Sequence, residues 1–141
     1  MDSLEEAGLD PAQIPDGIQV IRAPRAKDRT DTGLCLEYAL QAGCSEAVVL
    51  GGLGGRLDHT LANLQDAAAF CARGLSVSFR DRDVRAWFVT DGVLRVDPLP
   101  GFSLSVFAWS PRALGVTLRN VAFPLTDHTL ETGFPLGVSN G

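Results

Sequence analysis

The residues able to do chemistry gather in two short runs. One is Lys27-Asp28-Arg29-Thr30-Asp31, which sets carboxylates beside cations. The other is Gly51-Gly52-Leu53-Gly54-Gly55-Arg56-Leu57-Asp58-His59, with Asn63 following. Four of the five residues from Gly51 to Gly55 are glycine. Glycine accepts φ > 0 and lets the backbone approach a ligand closely. Amide N–H groups at a helix N-terminus can then face an anion. Arg56 adds a planar fork suited to phosphate or carboxylate. Asp58 adds an acceptor and His59 a titratable ring. The spacing is neither the dinucleotide fingerprint nor the P-loop. The glycines alone suit an ordinary strand-to-helix turn equally well; the Arg, Asp and His at its mouth point to a site. In the first run Asp28 fits a helix N-cap and Asp31 the first turn, where carboxylates suit the helix dipole. The same residues suit a Mg²⁺–phosphate site, with carboxylates on the hard cation and Lys27 facing phosphates. Asp31-Thr32-Gly33 also spells the aspartic-protease triplet. A helix start is the wrong context for it, since that triplet needs a loop paired with a second copy.

The elements that must position these runs follow from periodicity. Ser3-Leu4-Glu5-Glu6 fits a capping box for a short helix over 3–8. Ile18 to Ile21 reads as a short strand. Leu34, Tyr38 and Ala42, with Cys35 and Ala39, form an apolar helical face closed by Gly43. Residues 46–51 read as the strand before the glycine turn. A helix runs from about Leu57 to Arg73 with Leu57, Leu61, Leu64, Ala68 and Cys71 on one face, and Gly74 ends it. Strand, helix, strand, helix implies right-handed crossovers and a parallel sheet. Both polar runs sit where strands hand over to helices, the edge where open α/β sheets bind ligands. After residue 74 the texture turns to alternation. Leu75–Phe79, Val84–Thr90, Val93–Val96, Phe102–Trp109 and Gly115–Phe123 read as short strands, with Asp81–Asp83 as a turn and Asp91-Gly92 as a hairpin turn. The expected fold is an incomplete parallel α/β part over 1–76 and a small antiparallel, sandwich-like β part over 77–141. Trp87 and Trp109 read as core, His128 as a surface loop residue, and Cys35, Cys44 and Cys71 as small buried apolar groups.

The 141 residues are 45% hydrophobic and 21% charged, a globular balance. A net charge of −5 argues against a nucleic-acid binder, which usually shows a basic face. No apolar run approaches the roughly 20 residues of a membrane span. The acidic start has no signal-peptide layout, so the expected location is cytoplasmic. Three cysteines without a CxxC pairing give no zinc signature.

Lys27-Asp28-Arg29-Thr30-Asp31, then Gly54-Gly55-Arg56-Leu57-Asp58-His59 with Asn63, then Ser139-Asn140 resemble, in order and spacing, the motifs of the thiamine pyrophosphokinase family. The resemblance covers nearly the whole chain. It implies transfer of a pyrophosphoryl group from ATP to the hydroxyethyl oxygen of thiamine, giving thiamine diphosphate and AMP. It implies Mg²⁺ dependence and a homodimer, with the site between the α/β domain of one subunit and the β domain of the other. Carried over, Asp31 is a metal ligand and a catalytic residue, and Lys27 and Thr30 face ATP. Arg56 contacts phosphate and, with Asp58, joins Asp31 as a catalytic residue. Asp58 accepts from the aminopyrimidine. His59 and Asn63 lie on the nucleotide side, His59 in a hydrogen-bonding role. Ser139 and Asn140 line the thiamine pocket. The family's leading strands and a Gly-Asp-x-Asp-Ser motif are expected before residue 10. Met1-Asp2-Ser3 resembles the end of that motif, which makes Asp2 a second metal ligand. The family's closing strands are expected after Gly141, so the chain reads as truncated at both ends. Two other readings remain: a non-catalytic thiamine- or nucleotide-binding module or inactive fragment, and an unrelated phosphate-binding α/β domain.

Overall fold

The glycine turn is carried by a strand–helix–strand unit whose order follows from the sequence pattern. The computed structural model describes residues 14–20, 28–97 and 100–141. Strand β1 (Glu46–Leu50) leads through the turn into helix α2 (Leu57–Ala72), which returns to β2 (Ser76–Arg80). β1 and β2 pair in parallel, Glu46 opposite Ser76 and Leu50 opposite Arg80. β3 (Arg85–Trp87) adds antiparallel to β2, giving the order β1-β2-β3. Helix α1 (Asp31–Gln41) precedes β1.

The core lies between the two helices and one face of this sheet. Leu36 of α1, Ala67 and Phe70 of α2, Leu75, and Val77 and Phe79 of β2 are buried together. Ala47 and Val49 pack against them from β1. The alternation that places Val77 and Phe79 inward turns Val48 and Leu50 to the opposite face, where they are exposed. Both helices end in the same way. Gly43 and Gly74 stand just past the last turn with positive φ. The next residue's N–H bonds five residues back, Cys44 to the Ala39 carbonyl and Leu75 to that of Phe70.

The helical faces differ from expectation. α1 buries Gly33 and Leu36 and packs Ala39 and Leu40, while Tyr38 stands outward and donates to Gln19. α2 buries Ala67 and Phe70 and packs the expected Leu64 and Cys71 against the core, while Leu57 and Leu61 are exposed. In both helices apolar residues occur on more than one side, so spacing fits two faces, and the sheet below decides between them. Thr30, not Asp28, caps α1. Residues 18–20 form no strand, the Ile18 N–H being taken by the Pro15 carbonyl in a turn. The expected helix over 3–8 lies outside the described residues.

The chain divides into two compact units between Leu94 and Arg95. The division expected at 76/77 falls at the start of β2, which the parallel ladder with β1 holds in the first unit. In the second unit β4 (Leu104–Val106) pairs antiparallel with β7 (Gly137–Asn140). β5 (Arg112–Leu118) pairs antiparallel with β6 (Leu125–Glu131). The Asp91-Gly92 hairpin does not form: β3 ends at Trp87, and Val93–Val96 joins no strand among the described residues. β6 was not expected. His128 lies on it, exposed and opposite Val116, rather than in a loop. Trp109 is half exposed and Trp87 only partly buried. Cys35 and Cys44 are exposed, and Cys71 alone lies against the core, its sulfur accepting from the Val77 N–H. Among the described residues no helix is long and apolar enough to cross a membrane.

Candidate functional site

The glycine turn is built by backbone conformations open mainly to glycine. Gly51, Gly54 and Gly55 have φ of 65°, 101° and 66°. Two side chains of α2 reach back and fix it. Asn63 donates from Nδ2 to the Gly52 carbonyl at 2.8 Å. The Thr60 hydroxyl accepts from the Gly54 N–H at 3.1 Å and faces the carbonyls of Gly54 and Arg56 at 3.3 Å. Gly54's amide, one of those expected to face an anion, is therefore turned onto Thr60. Asn63, expected on the nucleotide side, braces the turn.

The turn delivers Arg56 and Asp58 as a pair. Arg56 stands at the N-cap of α2, and its guanidinium grips the Asp58 carboxylate at both oxygens, Nε to Oδ1 at 3.1 Å and a terminal nitrogen to Oδ2 at 2.5 Å. This bidentate bond holds Asp58 below its ordinary pKa; partial desolvation opposes it, and the His59 backbone N–H and the Arg56 charge add to it. Asp58 is thus an acceptor rather than a proton donor near neutral pH. His59 follows in the first turn, exposed.

The first run is anchored separately. Thr30 caps α1, its hydroxyl accepting from the Gly33 N–H at 2.8 Å. The same hydroxyl donates to Asp66 Oδ2 of α2 at 2.5 Å. Asp31 is the first residue of α1 and is exposed. Behind it Glu37 takes both terminal nitrogens of Arg73, at 2.7 and 3.0 Å, and one of Arg29 at 3.0 Å. The bond from Arg73, against partial desolvation and helped by Arg29, lowers the Glu37 pKa to about 2. Arg73 also lies over the Phe70 ring, 4.7 Å from its centroid. Asp66, Glu37 and Arg73 were not singled out in the sequence. Asp66 carried one signal: a carboxylate on the face of α2 that also holds Asn63, Ala67 and Phe70.

Among the described residues no three metal-ligating side chains cluster. Asp31 offers a hard oxygen donor, and Mg²⁺ commonly takes one or two carboxylates with phosphate oxygens and water filling the rest. The donor chemistry therefore suits Mg²⁺ with a bound phosphate better than Mg²⁺ alone. Asp2 and Lys27 lie outside the described residues.

In the second unit Ser139 is exposed with φ of 58°, a left-handed backbone uncommon for serine, and its N–H bonds the Ser105 hydroxyl at 3.1 Å. Asn140 is buried, and its amide is spent on Phe123, accepting from its N–H and donating to its carbonyl, both at 2.7 Å. A shallow, mostly apolar cavity of about 110 Å³ between Val106–Ala108 and Leu130–Leu136 also belongs to this unit.

A model of the thiamin pyrophosphokinase catalytic domain matches residues 1–79. The structure of thiamine pyrophosphokinase from Bacillus subtilis superposes with a TM-score of 0.74 at 26% identity, over 82% of this chain and 55% of that one. The enzyme from Geobacillus thermodenitrificans shares the fold at a TM-score of 0.54 and 23% identity, over 83% and 54%. The chain thus spans about half the length of these relatives. No curated protein matches it by sequence. A matched stretch that takes in both polar runs, with the glycine turn and its Arg–Asp pair set as described, is the ground for one conclusion: the chain belongs to the thiamin pyrophosphokinase family.

Proposed function

We propose that this chain acts in transferring the pyrophosphoryl group of ATP to thiamine. The observation that carries the reading is the Arg56–Asp58 pair, presented by a glycine turn at the carboxyl end of a parallel strand. In the reaction the thiamine hydroxyl oxygen bonds to the β-phosphorus, the bond from that phosphorus to the oxygen bridging it to the α-phosphate breaks, and AMP leaves. The alcohol proton is released. Such a transfer needs charge neutralisation and in-line positioning more than covalent catalysis. A guanidinium beside a carboxylate that stays ionised supplies both: Arg56 takes phosphate oxygens, and Asp58 accepts from the aminopyrimidine. Lys27 and Asp31 serve the ATP side, and Asp31 with Asp2 would hold Mg²⁺, which when bound neutralises phosphate charge. Ser139 is the second unit's candidate for thiamine contact. A homodimer in the cytoplasm is part of the same reading.

The test is thiamine diphosphate formation from ATP, Mg²⁺ and thiamine, comparing the chain with Asp58→Ala. Turnover that falls by about a hundredfold or more in the variant supports the assignment, the scale expected when a group that positions the bound substrate is lost. Thiamine binding without turnover would favour a binding module. Neither binding nor turnover in a folded chain would remove the assignment.

A further inference from the structure

One face of α2 holds both polar runs. Asn63, Asp66, Ala67 and Phe70 recur at helical spacing, so they share a side of the helix. Ala67 and Phe70 are buried in the core. Asn63 fixes the glycine turn through the Gly52 carbonyl. Asp66, half-buried, accepts a hydrogen bond from the Thr30 hydroxyl, 2.5 Å between the oxygens. Thr30 has one proton to give and gives it there, while its oxygen accepts from the Gly33 N–H. Gly33 completes the fit: a Cβ on it would lie 2.8 Å from Asp66 Oδ2 and 3.2 Å from the Thr30 hydroxyl oxygen. The contact thus demands three particular residues from two helices.

Building on the proposed reaction, we propose that Asp66 is a positioning residue for it. Through the Thr30 hydroxyl, and in the space left by Gly33, Asp66 fixes the start of α1, and with it Asp31, against the helix that begins at Arg56 and Asp58. Thr30 is then an anchor of its motif rather than a nucleotide contact. Asp66 stands eight residues beyond Asp58, roughly two turns or about 12 Å along the axis. The helix therefore acts as a ruler between the metal-phosphate corner and the thiamine corner. Transfer between two bound substrates depends on such spacing, since small misplacements of reacting groups cost large factors in rate.

The experiment uses the full chain with Asp66→Ala, Asp66→Asn, Thr30→Val, Thr30→Ser and the double variant Asp66→Ala/Thr30→Val. Two readouts are taken: steady-state constants for ATP and thiamine separately, and amide hydrogen exchange over residues 31–34 against β1 and β2. Asp66→Ala and Thr30→Val should each raise KM for ATP about tenfold, with KM for thiamine within about twofold. The double variant should be no worse than either single one. Thr30→Ser, which keeps the hydroxyl, should stay within about twofold of wild type, and Asp66→Asn, which keeps an acceptor, should fall between wild type and Asp66→Ala. Exchange over 31–34 should quicken about tenfold or more in Asp66→Ala while β1 and β2 keep their protection. Wild-type KM for ATP in a folded Asp66→Ala chain, additive effects, or damage by Thr30→Ser equal to that of Thr30→Val would overturn the proposal. Lack of turnover in the wild type would count against the assigned reaction alone. The exchange readout then decides: faster exchange at 31–34 supports the clamp, and unchanged exchange removes it.

Discussion

At the scale of the residue, ion pairing and packing impose separate demands within a few positions of one another. Asp58 is held ionised by Arg56. Removing that partner removes the chief cause of the depression, so in Arg56→Ala the Asp58 titration moves up toward the ordinary aspartate range. Carboxyl-resolved NMR titration of both chains would show it, and an unmoved midpoint would mean the pair does not persist in solution. Gly52 shows the packing demand. A Cβ there would meet Val49 Cγ1 at 2.7 Å and the Phe79 ring at 3.0 Å. Gly52→Ala should cost about 1–3 kcal/mol by overpacking, read as a lower urea midpoint at unchanged slope. Arg56, Asp58 and His59 were singled out from the sequence as candidates because type and adjacency alone mark them. Asp66 was not, because its meaning depends on Thr30, 36 positions away. The exposure of Cys35 and Cys44 was missed for a related reason: apolar character says a residue can be buried, and only the neighbouring element says whether it is.

At the scale of the element, the two helices are joined outside the core by Glu37 between Arg73 and Arg29. The Glu37 pKa falls to about 2 in the folded chain, against an ordinary carboxyl near 4.5 when unfolded. A depressed carboxyl stabilises the fold above its unfolded pKa and loses that contribution as pH falls through the folded one. The stability difference between wild type and Glu37→Gln should therefore be full above pH 4.5 and shrink steadily toward pH 2. Denaturant titrations at a series of pH values measure it, and a difference independent of pH would exclude the network as its source. Because the arginines are well exposed, salt should diminish the effect. The C-terminal ends of both helices were well marked in the sequence, since glycines past the last turn are local signals, whereas the start of α1 was not, Thr30 rather than Asp28 being its cap. The burying faces were not. α1 and α2 each carry enough apolar residues for two stripes, and the sheet chose Leu36 and Phe70.

At the scale of the whole molecule, the two units are held by different means. In the first it is the buried cluster around Val77 and Phe79. Phe79→Ala should cost about 3–5 kcal/mol there, measured by chemical unfolding, as expected for emptying a closed aromatic site. In the second, buried Asn140 ties β7 to the chain at Phe123. Asn140→Ala leaves two backbone groups without their partner and should cost about 1–3 kcal/mol, with faster amide exchange at Phe123. Wild-type exchange at Phe123 in that variant would show the bond to be dispensable. Composition, turn residues and the two motif runs determined by themselves that this is an α/β part followed by β structure, and which family it joins; each is a property of a residue and its near neighbours. Other features were settled only by tertiary structure. The parallel ladder assigned Ser76–Arg80 to the first unit, Val93–Val96 joined no described strand despite a strong turn signal, and Thr30 was turned onto Asp66. Strand pairing and side-chain partnership join distant stretches of chain, and their free energies depend on what stands opposite, which no local pattern contains.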